Sequence, residues 1–414
     1  MDVTKSFQIS RHAVKEAFEH VKANKGAAGV DSKSLEEFER KLEDNLYKIW
    51  NRMSSGSYFP PPVKRVTIPK KDGGRRHLGV PTVGDRIAQQ VVRMYLEPKL
   101  EPHFHPDSYG YRPMKSAIEA VGRARERCWR YDWIIDLDIK GFFDNIDHGL
   151  MMRAVRRYTD CRWMLLYIER WLKAPVQLED GALQQREKGT PQGGVISPLL
   201  ANLFLHLSFD EWMSREHPQA PFERYADDIV VHCATEWQAK LILESIRFRL
   251  GRCKLELHPD KTRIVYCGRG RPGQPTGNFD FLGYCFRPRR AKSKHGHVFN
   301  GFLPAISKAS IKEIRDEIRG WKLHLRSDLS LEEIARKINP KIRGWINYYG
   351  AFYVSAMTPV FLSLNRVLCK WAGRKYKKLR SRLTRTGRWL RAIAKRDPKL
   401  FAHWSMLGQI WTAG

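Results

Sequence analysis

The chain has 414 residues, of which 42% are apolar, and its 74 Lys and Arg exceed its 44 Asp and Glu to give a formal net charge of +30. This length allows two or three domains, and the positive excess indicates a polyanionic partner, nucleic acid first and an anionic membrane second. We expect no membrane span, because no apolar run approaches the ~18 residues that a span needs, and no secretory signal, because the first residues lack an apolar segment.

The first hundred residues contain two helical patterns followed by an extended one. Apolar residues at three- to four-residue spacing predict helices at residues 8–23 and 34–50, the second with Ser34 as its N-cap. Two strands, Val63–Pro69 and Arg76–Val80, are predicted to form a hairpin across a Gly-rich turn.

From residue 86 to about 300, strands are interleaved with helices. Helices are predicted at 86–100, 116–128, 162–172, 197–205 and 236–251, with a further one that follows Asp144 and runs through Tyr158. Strands are predicted at 133–139, 255–265 and 279–286, with a hairpin at 222–232. This order has no fixed repeat and indicates an α+β fold. After about residue 302 the patterns are wholly helical.

The hairpin at 222–232 places Tyr-Ala-Asp-Asp at its turn, with Asp227 and Asp228 adjacent. Neighbouring carboxylates raise each other's pKa unless a cation neutralises them. Hard oxygen ligands suit Mg²⁺, so a pair of Mg²⁺ ions explains the arrangement. Taken by itself, the tetrapeptide fits a solvated surface turn equally well. The choice between a metal site and a surface turn therefore depends on the rest of the sequence.

A third acid stands at the end of the clearest core strand. Alternation puts Asp136 and Asp138 on the same face of that strand, where either could be ion-paired with an arginine. Three acids at strand ends in one sheet of a basic protein favour two-metal nucleotidyl transfer.

Eight stretches, in this order, resemble the reverse transcriptases encoded by bacterial group II introns, also called maturases: Asn24–Asp31, Ile68–Pro81, Ser108–Pro113, Asp138–Asp144, Gly189–Pro198, Tyr225–Asp228, Leu257–Thr262 and Phe281–Tyr284. The resemblance implies a right-hand polymerase with an antiparallel palm sheet, a helical thumb and a basic carboxyl-terminal segment. It implies fingers at 1–85, a palm with interleaved fingers elements at 86–301, a thumb or maturase domain at 302–372 and a nucleic-acid-binding tail at 373–414.

The family pattern implies roles for the acids and their neighbours. Asp138, Asp227 and Asp228 match the metal-binding triad, and the carbonyl of Ile139 is a further candidate ligand. The cofactor implied is a pair of Mg²⁺ ions, which Mn²⁺ can replace. Lys261 is a candidate proton donor to pyrophosphate, or a simple phosphate contact. We expect Asp144 to be structural, as a helix cap.

Other matched positions are expected to bind the incoming nucleotide. Phe143 matches the bulky residue that excludes a 2′-hydroxyl, and Tyr225 and Ala226 belong to the same nucleotide site. Lys70 and Arg76 match the residues that hold the triphosphate, although a basic hairpin tip is a solvated surface in most proteins. Gln192 lies in a glycine-bordered loop and matches a position against the nucleotide, with a simple turn residue as the alternative.

The last third of the chain carries most of the positive charge, with 29 Lys and Arg against seven Asp and Glu from Arg287 onward. Residues 338–350 resemble the thumb signature of the family. Ile338, Ile342, Trp345 and Tyr349 follow helical spacing and are expected to be mostly core. Phosphate contacts are predicted for outward-facing basic residues: Lys341, Arg343, Arg374, Lys375, Lys377, Lys378, Arg380, Arg382, Arg385, Arg388 and Arg391.

The resemblance implies an enzyme, an RNA-directed DNA polymerase whose partners are its intron RNA template, a DNA primer or target and dNTPs, with no membrane and no stable protein partner indicated. No segment resembles the H-N-H endonuclease of many relatives, so the compact class is expected. Seven scattered cysteines without a C-x-x-C pair argue against structural zinc and disulfides and suit a bacterial cytoplasm. A splicing-only maturase and a relative serving DNA repair or phage defence remain alternatives.

Overall fold

A computed structural model of the chain describes residues 6–69, 74–268, 276–292, 298–380 and 383–407. The chain divides into two compact units. The first comprises Met1–Ser116, Ile135–Cys233 and Trp237–Arg263, and the second comprises Ala117–Ile134, Ala234–Glu236 and Ile264–Gly414. The predicted boundaries of fingers, palm, thumb and tail stay predictions.

The helices up to residue 252 are, in chain order, α1 (Arg11–Asn24), α2 (Leu35–Glu39), α3 (Leu42–Ser54), α4 (Val83–Leu100), α5 (Ala117–Arg127), α6 (Phe142–Asn145), α7 (His148–Arg156), α8 (Arg162–Lys173), α9 (Ser197–Leu205), α10 (Glu211–Glu216) and α11 (Glu236–Arg252). The strands up to residue 266 are β1 (Val63–Pro69), β2 (Arg75–Val80), β3 (Trp133–Asp138), β4 (Val176–Gln177), β5 (Leu183–Gln184), β6 (Phe222–Tyr225), β7 (Asp228–Cys233) and β8 (Arg263–Tyr266).

Local sequence explains where the first helices begin. The hydroxyl of Ser34 accepts from the backbone N–H of Glu37, whose carboxylate accepts from the Ser34 N–H, so the predicted N-cap is a complete capping box. The single predicted helix is two helices, however, because Lys41 leaves the helical region at φ −128° and ψ 47°.

Two sheets organise the first unit. The predicted hairpin of β1 and β2 is antiparallel and joins two short strands in the order β2-β1-β4-β5. Strands β4 and β5 have two residues each, too few for the sequence to show a period of two. The second sheet has the order β6-β7-β3-β8.

The predicted strand at 255–265 is wrong in its first half. Leu257 makes an isolated bridge to Ile139, residues 259–261 form a turn, and β8 begins only at Arg263. Pro259 stands at that turn because it has no backbone N–H to give to a ladder.

The second unit combines α5 with a three-stranded sheet and the last helices. The sheet has the order β11-β10-β9, with β9 (Phe279–Phe281), β10 (Tyr284–Lys292) and β11 (Val298–Ile306). The remaining helices are α12 (Lys308–Gly320), α13 (Leu331–Tyr353), α14 (Thr358–Lys375), α15 (Leu383–Arg396) and α16 (Trp404–Leu407). The wholly helical part therefore begins after Ile306, a few residues later than predicted.

A single apolar core joins these helices. As predicted, Ile338 and Ile342 are buried, and Trp345 and Tyr349 are half-buried against the same core. Residues 379–407 also contribute to this core, with Leu390 and Phe401 fully buried. The carboxyl-terminal segment therefore completes the helical core as well as carrying positive charge.

One stretch of the described residues, Leu331–Lys375, is long and apolar enough to cross a membrane by length and composition. By this criterion the expectation that the chain has no membrane span is not confirmed. Core helices of globular proteins satisfy the same criteria, and here Ile334, Leu364 and Leu368 are buried in the helical core.

Candidate active site

The acidic hairpin forms as predicted. Strands β6 and β7 pair antiparallel with Tyr225 opposite Asp228, so the turn consists of Ala226 and Asp227. Ala226 has φ +57°, a conformation in which a residue with a Cβ is uncommon. The tight turn places Asp227 and Asp228 next to each other at the end of the hairpin.

Asp138 is the last residue of β3, the strand beside β7. Its carbonyl accepts from the backbone N–H of His258 at 2.7 Å, and its carboxylate lies 3.0 Å from the ammonium of Lys261. Asp136, on the same face of the strand, instead pairs with Arg263 at 3.1 Å. The two strand acids therefore have different partners, and Asp138 is the one at the sheet end.

The charge of Asp138, at the end of β3, acts on the carboxyl group of Asp227 in the hairpin turn. Burial raises the pKa of Asp227, and the nearby charge of Asp138 raises that pKa further, whereas the guanidinium groups of Arg76 and Arg224 lower it. Burial and the Asp227 charge also raise the pKa of Tyr111. The charge of Asp138 thus destabilises the ionised form of Asp227.

The chemistry of these acids fits a divalent cation. Three carboxylates offer the hard oxygen atoms that Mg²⁺ prefers, and a bound cation would relieve the repulsion between Asp138 and Asp227. As the side chains stand, no group of three or more His, Cys, Asp or Glu in the described ranges encloses a metal position. Ile139, whose carbonyl is a predicted ligand, is buried and bridges Leu257.

The Gly189–Gly194 loop lies against the predicted sugar-sensing residue. The N–H of Thr190 donates to the Phe143 carbonyl at 2.8 Å, and the N–H of Gly79 on β2 donates to the Gln192 carbonyl at 2.8 Å. A Cβ at Gly193 would lie 2.5 Å from the Gly79 carbonyl oxygen, so only glycine allows this approach. The loop thus connects Phe143 with the β1–β2 hairpin.

The basic residues predicted to contact phosphate lie in different settings. Arg76 is exposed on β2, and its charge acts on Asp227. Lys261 is exposed and paired with Asp138. Lys70 lies outside the described residues.

The expectation that Asp144 caps a helix was wrong. Asp144 lies within α6, and the cap of the next helix is Asp147, whose carboxylate accepts from the Leu150 N–H at 2.8 Å. The helix predicted to follow Asp144 begins only at His148, because the residues up to Asn145 form the separate helix α6, and its cap is therefore Asp147.

The predicted nucleic-acid contacts lie in the second unit. Most of the described ones are exposed: Lys341, Arg343, Arg374, Lys377, Lys378, Arg380, Arg385 and Arg388. Lys341 also pairs with Glu317, and Arg391 is half-buried. Lys375 binds the carbonyls of Ser327 and Leu329 at 3.1 and 2.6 Å, so it stabilises the chain itself. Arg382 lies outside the described residues.

Sequence reasoning missed the buried support of the acidic turn. Arg224, Asp210 and Asn202 are buried together behind it. Two charged residues between the aromatic residues of a predicted strand were the available signal, since buried charges require partners.

Comparison with known proteins assigns the family. Residues 68–286 match the reverse transcriptase (RNA-dependent DNA polymerase) family, and residues 311–389 match the group II intron maturase-specific domain. Protein YkfC of Escherichia coli K12 is 34% identical over 317 residues, covering 67% of this chain and 80% of that protein. The group II intron-encoded protein LtrA of Lactococcus lactis is 28% identical over 419 residues, covering 81% and 68%.

A more distant similarity is to the retron Ec73 reverse transcriptase of Escherichia coli, 27% identical over 209 residues, which are 49% of this chain and 61% of that protein. Together the matches confirm the predicted right-hand polymerase fold and RNA-directed DNA polymerase activity. Enzymes of this family generally use divalent metal ions. The chain belongs to the reverse transcriptase family and, within it, to the reverse transcriptase/maturases encoded by bacterial group II introns.

Proposed function

We propose that the chain copies RNA into DNA by two-metal nucleotidyl transfer at Asp138, Asp227 and Asp228. The observation that carries this proposal is the half-buried Asp227 at the turn between β6 and β7, beside the strand that ends at Asp138. Two Mg²⁺ ions, or Mn²⁺ in their place, would lower the pKa of the primer 3′-hydroxyl and neutralise the triphosphate.

The surrounding side chains would place the nucleotide. Arg76 extends positive charge toward the Asp227 turn and is suited to the triphosphate, together with Lys70. Lys261 holds its ammonium 3.0 Å from the Asp138 carboxylate and can donate a proton to the leaving pyrophosphate. The carbonyl of Ile139 would add a ligand to the metals.

Phe143 is proposed to select deoxyribonucleotides. Its side chain is 9% exposed and its carbonyl is fixed by Thr190, so the ring cannot easily retreat from a 2′-hydroxyl. Gln192, Tyr225 and Ala226 would form the rest of the nucleotide site, because they flank Phe143 and the acidic turn.

The basic helices of the second unit are proposed to bind intron RNA and the DNA primer or target. The exposed Arg385 and Arg388 on α15 offer charge that phosphate can neutralise. Binding of folded intron RNA would assist splicing independently of the metals. We place this activity in the bacterial cytoplasm, where all seven cysteines would remain free thiols as the structure has them.

Primer extension on an RNA template tests the proposal with a matched pair of variants. Asp138→Asn should abolish extension with Mg²⁺, because a neutral amide is a poor ligand for the ion. Asp136→Asn alters the neighbouring acid on the same strand face and should retain extension, because its partner Arg263 is 48% exposed and water can solvate the guanidinium that loses its partner. Equal extension by wild type and Asp138→Asn would refute the assignment.

A further inference from the structure

Arg224 is a fully buried arginine two residues before the turn of the acidic hairpin. Its Nε and Nη2 donate to the two carboxylate oxygens of Asp210 at 2.7 and 2.5 Å. Its Nη1 donates to the side-chain oxygen of Asn202 at 3.0 Å and to the carbonyl of Ala226 at 3.1 Å. The guanidinium therefore joins the turn to two other elements of the first unit.

Stability alone is a weak explanation for this arrangement. A buried ion pair loses hydration on both sides, and well-packed apolar residues of similar volume often stabilise a core equally well. The planar fork of arginine, however, fixes several acceptors in one geometry, which neither lysine nor an apolar residue can do. One of those acceptors is the carbonyl immediately before Asp227.

The turn needs such support because Ala226 has φ +57°, which a residue with a Cβ seldom adopts without constraint from its surroundings. The hydrogen bond from Arg224 fixes the orientation of the Ala226 carbonyl and therefore of the peptide that leads into Asp227. Rotation of that peptide would redirect the Asp227 carboxylate.

Further hydrogen bonds fix Asn202 and the backbone of Arg224. The side chain of Asn202 donates to the Gly110 carbonyl at 2.6 Å. The backbone of Arg224 is bound on both sides, since its N–H donates to the Asp107 carbonyl at 3.0 Å and its carbonyl accepts from the Tyr109 N–H at 2.8 Å. The Ser108–Pro113 motif, to which the sequence analysis gave no role, therefore contributes its first residues to the support of the turn.

Asp210 owes its position to an irregular helix. Residues His206–Asp210 form one π-helical turn between α9 and α10, and Asp210 is fully buried at its end. Such π-turns are rare and occur often at functional sites. A regular α-helix would rotate Asp210 to another face, because the residues per turn differ.

We propose that Arg224 is a positioning residue for DNA synthesis, and that with Asp210 and Asn202 it fixes the backbone of the Ala226–Asp227 turn and so aims the Asp227 carboxylate. This inference rests on the proposed function, in which Asp227 is a metal ligand. Its direct consequence is local order of the turn, which can be measured without metal or nucleotide.

The test uses the double variant Arg224→Met/Asp210→Leu, which removes both charges at similar volume and should keep the fold. We expect a folded protein with a cooperative unfolding transition, and faster amide hydrogen exchange than in the wild type in peptides covering residues 225–229. The single-turnover rate of nucleotide addition should fall by about 100-fold while KM for dNTP stays the same, since a misplacement of ~1 Å has this effect on rate.

The matched control is Arg170→Met. Arg170 also donates to two backbone carbonyls, those of Gly56 and Tyr58, at 2.8 and 2.5 Å, and none of these residues belongs to the acidic turn. This variant should leave exchange of the 225–229 amides and the rate unchanged.

Wild-type exchange and rate in a folded double variant would overturn the proposal. If the double variant does not fold, Asn202→Ser keeps the ion pair but loses the contacts of Asn202 to Arg224 and Gly110, and wild-type exchange and rate in that variant would overturn it equally. Asp227→Asn distinguishes a failure of the proposed function from a failure of the positioning role of Arg224. Full activity of that variant would refute the proposed function, whereas amide exchange of the turn reports on the hydrogen bonds of Arg224 alone.

Discussion

Gly110→Ala is the smallest change that should displace the acidic turn. A Cβ on Gly110 would lie 2.5 Å from the backbone nitrogen of Ala226 and 3.0 Å from the carbonyl carbon of Tyr225. Favourable contacts between heavy atoms begin near ~3.5 Å, so the turn must retreat by about 1 Å. Neither obstacle is the end of a flexible side chain, and therefore the backbone itself has to move.

A displacement of ~1 Å at reacting groups lowers rates by about 100-fold. We therefore expect Gly110→Ala to remain folded and to bind primer and RNA template, but to add nucleotides about 100-fold more slowly in single-turnover experiments. Gly110 does not adopt a positive φ, so the alanine introduces no backbone strain of its own.

Gly251→Ala is the matched control, because among the described residues no heavy atom outside its chain neighbours and the nearby backbone of its own helix lies within 4 Å of the position that its Cβ would take. Its nucleotide addition should match that of the wild type. A Gly110→Ala enzyme with the wild-type rate and a wild-type melting curve would refute the tight packing of the turn on which this reasoning depends.

Three further predictions concern other parts of the chain. Phe143→Ala should weaken discrimination against ribonucleotides by roughly 10-fold or more, measured as the ratio of kcat/KM for dNTP and rNTP, and unchanged discrimination would remove Phe143 from sugar selection. Arg385→Ala/Arg388→Ala should reduce the slope of log affinity for RNA against log salt by about 1.4 to 1.8 if each contacts one phosphate, and an unchanged slope would make them solvated residues. Burial lowers the pKa of His403 from 6.5 to about 3, so the stabilising effect of its neutral ring is complete above pH 6.5 and declines as the pH falls toward 3. The free energy of unfolding should therefore decrease by about 2 kcal/mol by pH ~5. Chemical denaturation that gives the same pH dependence for His403→Gln and the wild type would contradict this.

Some of the candidate site could be predicted because its residues obey local rules. The hairpin has a period of two and a tight turn, so Asp227 and Asp228 followed from the sequence. Alternation also put Asp136 and Asp138 on one face, but it could not show that Arg263 neutralises the first and Lys261 contacts the second. Those pairings depend on a turn and a strand more than 120 residues away.

Other features depend on packing that a local pattern does not carry. The π-helical turn that buries Asp210 has the same apolar composition as a regular helix, so periodicity predicts neither the turn nor the pair with Arg224. Asp147 replaced Asp144 as a cap because the helix breaks at Ile146. The positive charge of the carboxyl-terminal segment could be read directly from the sequence. Its core residues could not, because their burial depends on the helices against which they pack.

In the proposed site, Asp138 shares divalent ions with the adjacent acids Asp227 and Asp228, which are distant from it in the chain. Primer extension on an RNA template with Mg²⁺, comparing wild type with Asp227→Ala/Asp228→Ala, tests this claim most directly, with RNA binding measured on the same preparations. We predict full-length DNA from the wild type, none from the double variant, and equal RNA affinity for both. Full-length DNA from the double variant would contradict the claim.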